Sequence, residues 1–332
     1  MGIVKRQGIK FSIVGYVALF LGTINVLFIY PYALQPEELG LMRFILDTAL
    51  LVVPFVSLGF GNVIIRYFPQ FQDKAKSHNG FLLFVFLVPF AAFLIFLLAI
   101  TLLKEPIYDF YSQKNELFSS YLFFVVPVIG FMLFSTLSRS YSYNFQRIVV
   151  PNILNSLMVK ALLPCLALLY FFNVLSLNQM MMGVVAVFGL VLVGSILYLG
   201  FLGQLSFKPN WSFLTKTRIK DIRTYAFYGI LSGVGSVLAL RIDTFMLASL
   251  VSLEMTGIYS IAIFISGVIA IPYIAMSNIS SAIISKAWAE NDISTIDQIY
   301  KKSSLVLLIA GCFIFLLIWV SLDDFFAIMP NG

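Results

Sequence analysis

Residues 80–103 read GFLLFVFLVPFAAFLIFLLAITLL, without a single charged side chain. A helix needs about 20 mostly apolar residues to cross the hydrocarbon core of a bilayer, and this stretch is long enough. Within lipid no water can satisfy the backbone, so a spanning segment must form its hydrogen bonds internally, as a helix does. The stretch therefore predicts a membrane-spanning helix.

The rest of the chain has the same character. Apolar residues make up 61% of the 332 residues and charged residues 11%, whereas soluble domains carry about 45–50% and about 25%. A soluble fold of this composition would expose large apolar patches, which soluble monomers rarely do. We therefore expect an all-α, polytopic integral membrane protein. Nine segments qualify as spans, and a tenth begins at Phe325: Phe11–Leu34, Leu39–Phe68, Gly80–Leu103, Ser119–Ser140, Val150–Phe172, Gln179–Gly203, Ile222–Val251, Thr256–Ser285 and Ser303–Leu322.

The basic residues predict how the chain is oriented. Cytoplasmic connectors carry more Lys and Arg than external ones. With the N-terminus inside, most of the 21 Lys and Arg residues lie in or beside cytoplasmic connectors, and only Arg43, Lys104 and Lys114 lie on the outer side. We therefore expect a multi-pass protein with a cytoplasmic N-terminus. Because the basic residues are spread over short connectors, the net charge of +6 does not indicate a nucleic-acid partner.

An internal repeat is present at an offset of about 217 residues: residues 34–42, LQPEELGLM, align with residues 251–259, VSLEMTGIY, so that Gly40 corresponds to Gly257. The offset covers six helices, an even number, so both copies face the same way, as parallel repeats do. We expect two pseudo-symmetric six-helix lobes with the second incomplete, and hence a truncated form of a protein with at least twelve spans. The expected parts are an N-lobe with spans 1–6 (1–205), a cytoplasmic linker (206–221), and a partial C-lobe with spans 7–9 and the start of span 10 (222–332).

Ionisable residues inside spans are the first candidates for a binding site, since a charge at mid-membrane costs roughly 2.5–3.5 kcal/mol and usually faces a cavity or a partner. Lys160 lies in the middle of the fifth span, and Asn152 and Ser156 precede it at four-residue spacing, which predicts one polar stripe. A snorkelling or structurally paired Lys160 is the alternative. In the seventh span, Arg241 and Asp243 point about 160° apart on a regular helix, so they cannot pair with each other. We expect Arg241 to face a cavity, with snorkelling as its alternative.

Four further residues complete the predicted substrate-binding set. Arg43 and Asp47 lie four residues apart in the second span and could pair with each other. Arg66, at the inner end of that span, could capture an anionic head group, although the charge rule alone also explains it. Asn25 is a polar, uncharged residue in the first span.

Motifs for enzymatic chemistry are missing from the sequence. There is no GxxxxGK[ST] loop, no HExxH motif and no Cys/His cluster, so we expect no cofactor, no metal and no enzyme. His78, the only histidine, lies in a polar connector and is expected to be solvated. Cys165 and Cys312 are expected to be small buried apolar residues.

Two stretches resemble a known family. Residues 241–262, RIDTFMLASLVSLEMTGIYSIA, are similar to the seventh-to-eighth-helix region of polysaccharide flippases of the O-antigen and capsule type, in the multidrug/oligosaccharidyl-lipid/polysaccharide exporter superfamily. Gly40, Pro54, residues 57–59 (SLG) and residues 66–69 (RYFP) resemble the second-helix region of the same proteins. Span count, loop lengths and repeat extend the resemblance along the whole chain, and the missing part of the second lobe departs from it.

The resemblance implies two lobes around a cavity that opens alternately to each side of the bacterial inner membrane. The implied cargo is an undecaprenyl-diphosphate-linked oligosaccharide, moved to the periplasmic leaflet for surface polysaccharide such as lipopolysaccharide O-antigen. Other implied partners are membrane lipids, a coupling ion (H⁺ or Na⁺) and further polysaccharide assembly proteins. A diphosphate requires fixed cations or hydrated space in a low-dielectric path. The residues at mid-span include two cations, Lys160 and Arg241, and two carboxylates, Asp47 and Asp243. This charge balance permits such a cargo without requiring it.

Three alternatives stay open. A cation-coupled multidrug antiporter of the same superfamily would be expected to place a cation-binding acid in its first helices; the first span has none, and Asp47 in the second keeps the idea open. A lipid II flippase is a further relative. A membrane polysaccharide polymerase or ligase would be expected to have a long external loop, whereas the longest external connector here is about 104–118.

Overall fold

The computed structural model describes residues 2–73, 77–112, 115–205, 208, 214–273, 276–277, 280, 284, 287–288, 290 and 292–328. Every secondary-structure element among these residues is helical, and nine helices are long and apolar enough to cross a membrane. The predicted all-α, polytopic membrane fold is thereby confirmed. In chain order, spans 1 to 9 are Lys10–Ala33, Pro36–Val56, His78–Leu102, Leu122–Tyr143, Val149–Phe171, Leu177–Phe201, Lys216–Leu250, Leu253–Tyr273 and Ile293–Val320.

Two compact units make up the chain, Met1–Gly257 and Ile258–Gly332. The first unit holds spans 1 to 7 and the first turns of span 8. Its largest buried side chains are aromatic, and Phe68, Phe71, Phe81 and Tyr141 pack together in one cluster. The second unit holds the rest of span 8, span 9 and a short helix, Leu322–Ile328, at the position expected for the start of a tenth span. The proposed division into lobes remains a prediction, and the expected end of span 8 at Ser285 lies outside the described residues.

Span 1 and span 5 each contain a π-helical segment. The first covers Asn25–Ile29, between the α-helices Gly2–Ile24 and Tyr30–Ala33. The second covers Ile153–Met158, between Val149–Asn152 and Val159–Phe171. Turns of this kind are rare and often occur at functional sites. In span 1 the N–H of Tyr30 donates to the carbonyl of Asn25, which places these two residues one turn apart.

Span 2 is shorter than predicted. We expect one helix over Leu39–Phe68, but span 2 ends at Val56 and a separate helix runs over Phe60–Phe71. Between them Leu58 (φ 51°) and Gly59 (φ 69°) adopt left-handed backbone, and a Cβ on Gly59 would lie 2.5 Å from the carbonyl oxygen of Ala226 in span 7. The close approach of span 7 therefore accompanies the break, and only glycine fits there without strain.

The starting points of span 2 and span 7 each have a clear local cause. Span 2 begins with Pro36 at its first position, and the N–H of Gln35 donates to Glu38 Oε2 at 2.9 Å, as in a capping box. Span 7 begins at Lys216, inside the predicted linker 206–221, because Thr215 caps it by accepting from the N–H of Arg218. Residues 216–221 are thus helical, while residues 206–207 and 209–213 lie outside the described part.

Two expectations for single residues are wrong. His78 is buried, with its Nε2 2.8 Å from Gln204 Oε1 and its Nδ1 accepting from the N–H of Asp73 at 3.3 Å. Because both ring nitrogens have hydrogen-bond partners, this polar connector residue can be buried. Cys165 and Cys312 are exposed on the outside of their helices instead of buried.

Candidate substrate-binding site

The centre of the candidate site is an ion pair between spans 2 and 7. The Nη1 of Arg241 lies 3.1 Å from Oδ1 of Asp47. Asp47 is buried, whereas the Arg241 side chain is 39% exposed. The buried side chain of Thr244, almost one turn further along span 7, hydrogen-bonds to the same carboxylate. Asp47 therefore fixes Arg241 while leaving part of the arginine side chain accessible.

Arg43 joins this pair from one turn earlier in span 2. Its electrostatic neighbours are Asp47, Tyr30 and Arg241, and its guanidinium lies 6.0 Å from the centre of the Tyr30 ring. Within the described part of the chain, the buried Nε of Arg43 has no hydrogen-bond partner. Arg43 and Asp47, which could pair by their four-residue spacing, are electrostatic neighbours, and Asp47 also forms an ion pair with Arg241 on span 7.

Lys160, in span 5, packs against span 1. A Cβ on Gly22 would lie 3.1 Å from the Lys160 ammonium, so the side chain lies across the small surface of that glycine. Asn25 is buried and donates from Nδ2 to the Lys160 carbonyl at 2.6 Å. No residue that the structure describes forms a hydrogen bond or an ion pair with the ammonium. Lys160 is therefore held by its backbone, with its charge left unpaired by those residues.

The remaining members of the predicted polar stripe lie along span 5. Asn152 ends an α-helical turn and Ser156 lies within the π-helical segment, and both are partly buried like Lys160. Among the described residues, neither forms a hydrogen bond with Arg43, Asp47 or Arg241. The stripe thus crosses a π turn, where the regular α-helical spacing used to predict it does not apply.

Two predicted residues lie away from this group. Asp243 is exposed and, two positions after Arg241, points to a different side of span 7. Arg66 is exposed in the helix that follows span 2, and its guanidinium lies 4.4 Å above the ring of Tyr225. A cation over an aromatic face is a stabilising contact in its own right. The structure therefore does not bring Asp243 or Arg66 into the candidate site.

We call Arg43, Asp47, Lys160 and Arg241 the cationic cluster; span 1 connects its two parts, because Asn25 contacts Lys160 and Tyr30 contacts Arg43. Arg43 and Arg241 are both electrostatic neighbours of Asp47, and Lys160 adds a third cation beside span 1. No sequence pattern identifies Gly22, Tyr30 or Thr244, which contribute through packing between helices. Tyr30 and Asn25 lie one turn apart only because of the π segment, and no sequence pattern shows that.

Comparison with known proteins gives one match. The family described as polysaccharide biosynthesis protein matches residues 6–278, a range that includes all nine predicted site residues. No curated protein and no solved structure matches the chain.

Proposed function

Because this chain belongs to the polysaccharide biosynthesis protein family, which matches most of its length, we propose that it contributes to polysaccharide biosynthesis as a transporter. In this proposal it moves an undecaprenyl-diphosphate-linked oligosaccharide across the bacterial inner membrane by alternating access. The N-terminus is cytoplasmic, and the cargo passes from the cytoplasmic to the periplasmic leaflet. Membrane lipids, a coupling ion and other assembly proteins are its further partners, and no covalent chemistry is assigned to it.

The excess of cations inside the membrane is the observation that supports this cargo. A diphosphate carries several negative charges, and an uncompensated charge in a low-dielectric path is prohibitive. Within the described cationic cluster, Arg43, Lys160 and Arg241 supply three positive charges, and Asp47 supplies one negative charge. Arginine binds phosphate oxygens through two parallel N–H groups, and lysine acts as a compact point charge.

Each basic residue has a distinct part in the proposed binding step. Arg241 is held by Asp47 at 3.1 Å and is 39% exposed, so a phosphate can reach it and compete with the carboxylate. Arg43 has a free Nε donor among the described residues. Lys160, packed against Gly22 of span 1, offers an ammonium that no described residue pairs with. Asn25 is a positioning residue, since it fixes the span 5 backbone at Lys160.

The antiporter alternative needs an acid that is free to bind a cation. Asp47, the acid that keeps this alternative open, is already paired with Arg241 and has Arg43 as a further positive neighbour. A second cation would have to displace an arginine and face another one. The surroundings of Asp47 thus favour an anionic cargo.

The test is substitution in the chromosomal gene, with surface polysaccharide as the readout. We expect Lys160→Ala and Arg241→Ala each to lower surface polysaccharide by at least about tenfold while membrane insertion stays normal, since a lost charge contact to phosphate is worth more than 1.4 kcal/mol. Arg241→Lys should be impaired as well, because the two-pronged contact is lost. Lys301→Ala is the control, since that lysine is 70% exposed and its ion-pair partner is the exposed Asp297. Normal polysaccharide in both alanine variants would refute the assignment.

A further inference from the structure

Two glycines meet where spans 2 and 8 begin. A Cβ on Gly40 would overlap the carbonyl oxygen of Leu253, and a Cβ on Gly257 would overlap that of Pro36. The same hypothetical atoms would lie 3.1 Å from the N of Gly257 and 3.2 Å from the N of Gly40. The two helices therefore cross backbone to backbone, which small residues permit and side chains prevent.

This crossing is self-complementary. Gly40 contacts the residue four positions before Gly257, and Gly257 contacts the residue four positions before Gly40. At the repeat offset of about 217 residues, Pro36 corresponds to Leu253 and Gly40 corresponds to Gly257. The contact of Gly40 with Leu253 is therefore the repeat equivalent of the contact of Gly257 with Pro36. A contact of this kind is expected on a two-fold axis. The crossing thus lies where the two copies of the repeat meet.

Two contacts between spans 2 and 7 follow the crossing along span 2, four and seven residues after Gly40 and therefore on the same helix face. They form an aromatic layer and an ion-pair layer. In the first, Phe44 is buried and stacks on Phe245 with ring centres 6.0 Å apart. In the second, Asp47 pairs with Arg241. At the edge of the aromatic layer, the Tyr111 hydroxyl bonds to Ser249 at 2.8 Å.

A cavity of about 710 Å³ lies at the other side of the crossing. Pro36, whose carbonyl meets Gly257, is one of its lining residues, so the cavity adjoins the crossing directly. Its other lining residues include four carboxylates, Glu37, Glu38, Glu116 and Glu254. The predicted orientation places this acidic cavity on the outer side of the membrane.

We propose that the Gly40–Gly257 crossing is the outer seal of the cationic cluster, and that spans 2 and 8 separate there when cargo leaves. This inference rests on the proposed transport function. The contact is made by backbone atoms, so it opens by movement of whole helices and not by rotation of a side chain. Backbone contacts at helix crossings are individually weak, which suits a seal that must open repeatedly.

Thiol labelling tests the seal without reference to transport. The background carries Cys165→Ser and Cys312→Ser, both at exposed positions. Thr48→Cys reports from beneath the crossing, and loses no hydrogen bond because the Thr48 hydroxyl has no partner among the described residues. Glu37→Cys reports from the exposed wall of the cavity. Intact cells are treated with a membrane-impermeant thiol reagent. Glu37→Cys should be labelled about tenfold faster than Thr48→Cys if the closed state is about ten times more populated than the open state.

Opening the crossing should remove that difference. Gly40→Ala and Gly257→Ala each force a methyl group into a carbonyl oxygen, and such overpacking shifts a two-state equilibrium by about tenfold or more. Labelling of Thr48→Cys should rise accordingly in both. Gly15→Ala and Gly235→Ala are matched controls, since a Cβ there meets nothing within 4 Å, and they should leave labelling unchanged.

Three results would overturn the seal: no rise in correctly inserted glycine variants, an equal rise in the controls, or equal labelling of Glu37→Cys and Thr48→Cys in the parent. If neither glycine variant inserts, the comparison in the parent decides alone. The two proposals can fail separately. If the labelling results are as expected but Lys160→Ala and Arg241→Ala still export polysaccharide, the proposed cargo site is refuted and the proposed seal is not.

Discussion

The ion pair between Asp47 and Arg241 should contribute measurably to the packing of span 2 on span 7. Breaking a fully buried pair by removing one partner costs about 3–5 kcal/mol, whereas exposed pairs are worth about 0–1 kcal/mol. Here the Asp47 side chain is 5% exposed and that of Arg241 is 39% exposed, at an N–O distance of 3.1 Å. We therefore expect Asp47→Asn to lower the free energy of unfolding by about 1.5–3 kcal/mol, between those limits.

A double-mutant cycle isolates the pair from the other effects of each substitution. Asp47→Asn, Arg241→Gln and the double variant are unfolded reversibly in mixed micelles of increasing SDS content, with helicity followed by circular dichroism. Since the two residues are in direct contact, the coupling energy should be about 1–2 kcal/mol. The asparagine keeps a side chain that can still bond to Thr244, so that hydrogen bond does not dominate the result.

The exposed pair Asp297–Lys301 provides the control cycle. Its atoms are closer, at 2.7 Å, but the side chains are 52% and 70% exposed. Because solvent screens this pair, its coupling energy should stay below about 0.5 kcal/mol. A coupling energy for Asp47 and Arg241 no larger than that of the control would refute the reasoning, and would mean that burial does not strengthen the inner pair.

Two further predictions concern glycines with different surroundings. Gly59→Ala should destabilise the protein by about 2–4 kcal/mol, because it combines a left-handed φ of 69° with a carbonyl 2.5 Å from the new Cβ. Gly203→Ala, with φ 66° and nothing within 4 Å, should lose only about 1 kcal/mol in the same unfolding measurement, and equal losses would contradict the role of the close approach. Gly22→Ala should leave stability within about 1 kcal/mol of the parent, since only the flexible end of Lys160 must move, yet should lower surface polysaccharide. Its control, Gly15→Ala, should change neither quantity, and full export by Gly22→Ala would argue against Lys160 as a cargo contact.

The spans were predictable because the length of an apolar run determines them. The run Gly80–Leu103 predicts one helix, and span 3 is His78–Leu102. The break after Val56 could not be predicted in the same way, since it depends on how closely Gly59 approaches Ala226. A proline or a glycine in an apolar run is visible in the sequence, but the neighbouring helix that requires it is not.

The candidate site was predictable only in part, for a related reason. Charges within apolar runs identify Arg43, Asp47, Lys160 and Arg241 as unusual, and helix geometry separates Arg241 from Asp243. Spacing along one helix cannot show that the partner of Asp47 lies on another helix. The roles of the predicted residues in transport remain predictions.

The glycine crossing also determines how this protein can vary among its homologues. At Gly40 and Gly257 the atoms that exclude a side chain are backbone oxygens, which are present whatever residue occupies position 36 or 253. No compensating substitution can make room, so each glycine should be invariant independently of the other. The Asp47–Arg241 contact joins two side chains, so the two positions can change together as long as a cation stays accessible to the proposed cargo. In an alignment of related sequences the crossing should therefore appear as two fixed columns, and the ion pair as two columns that covary.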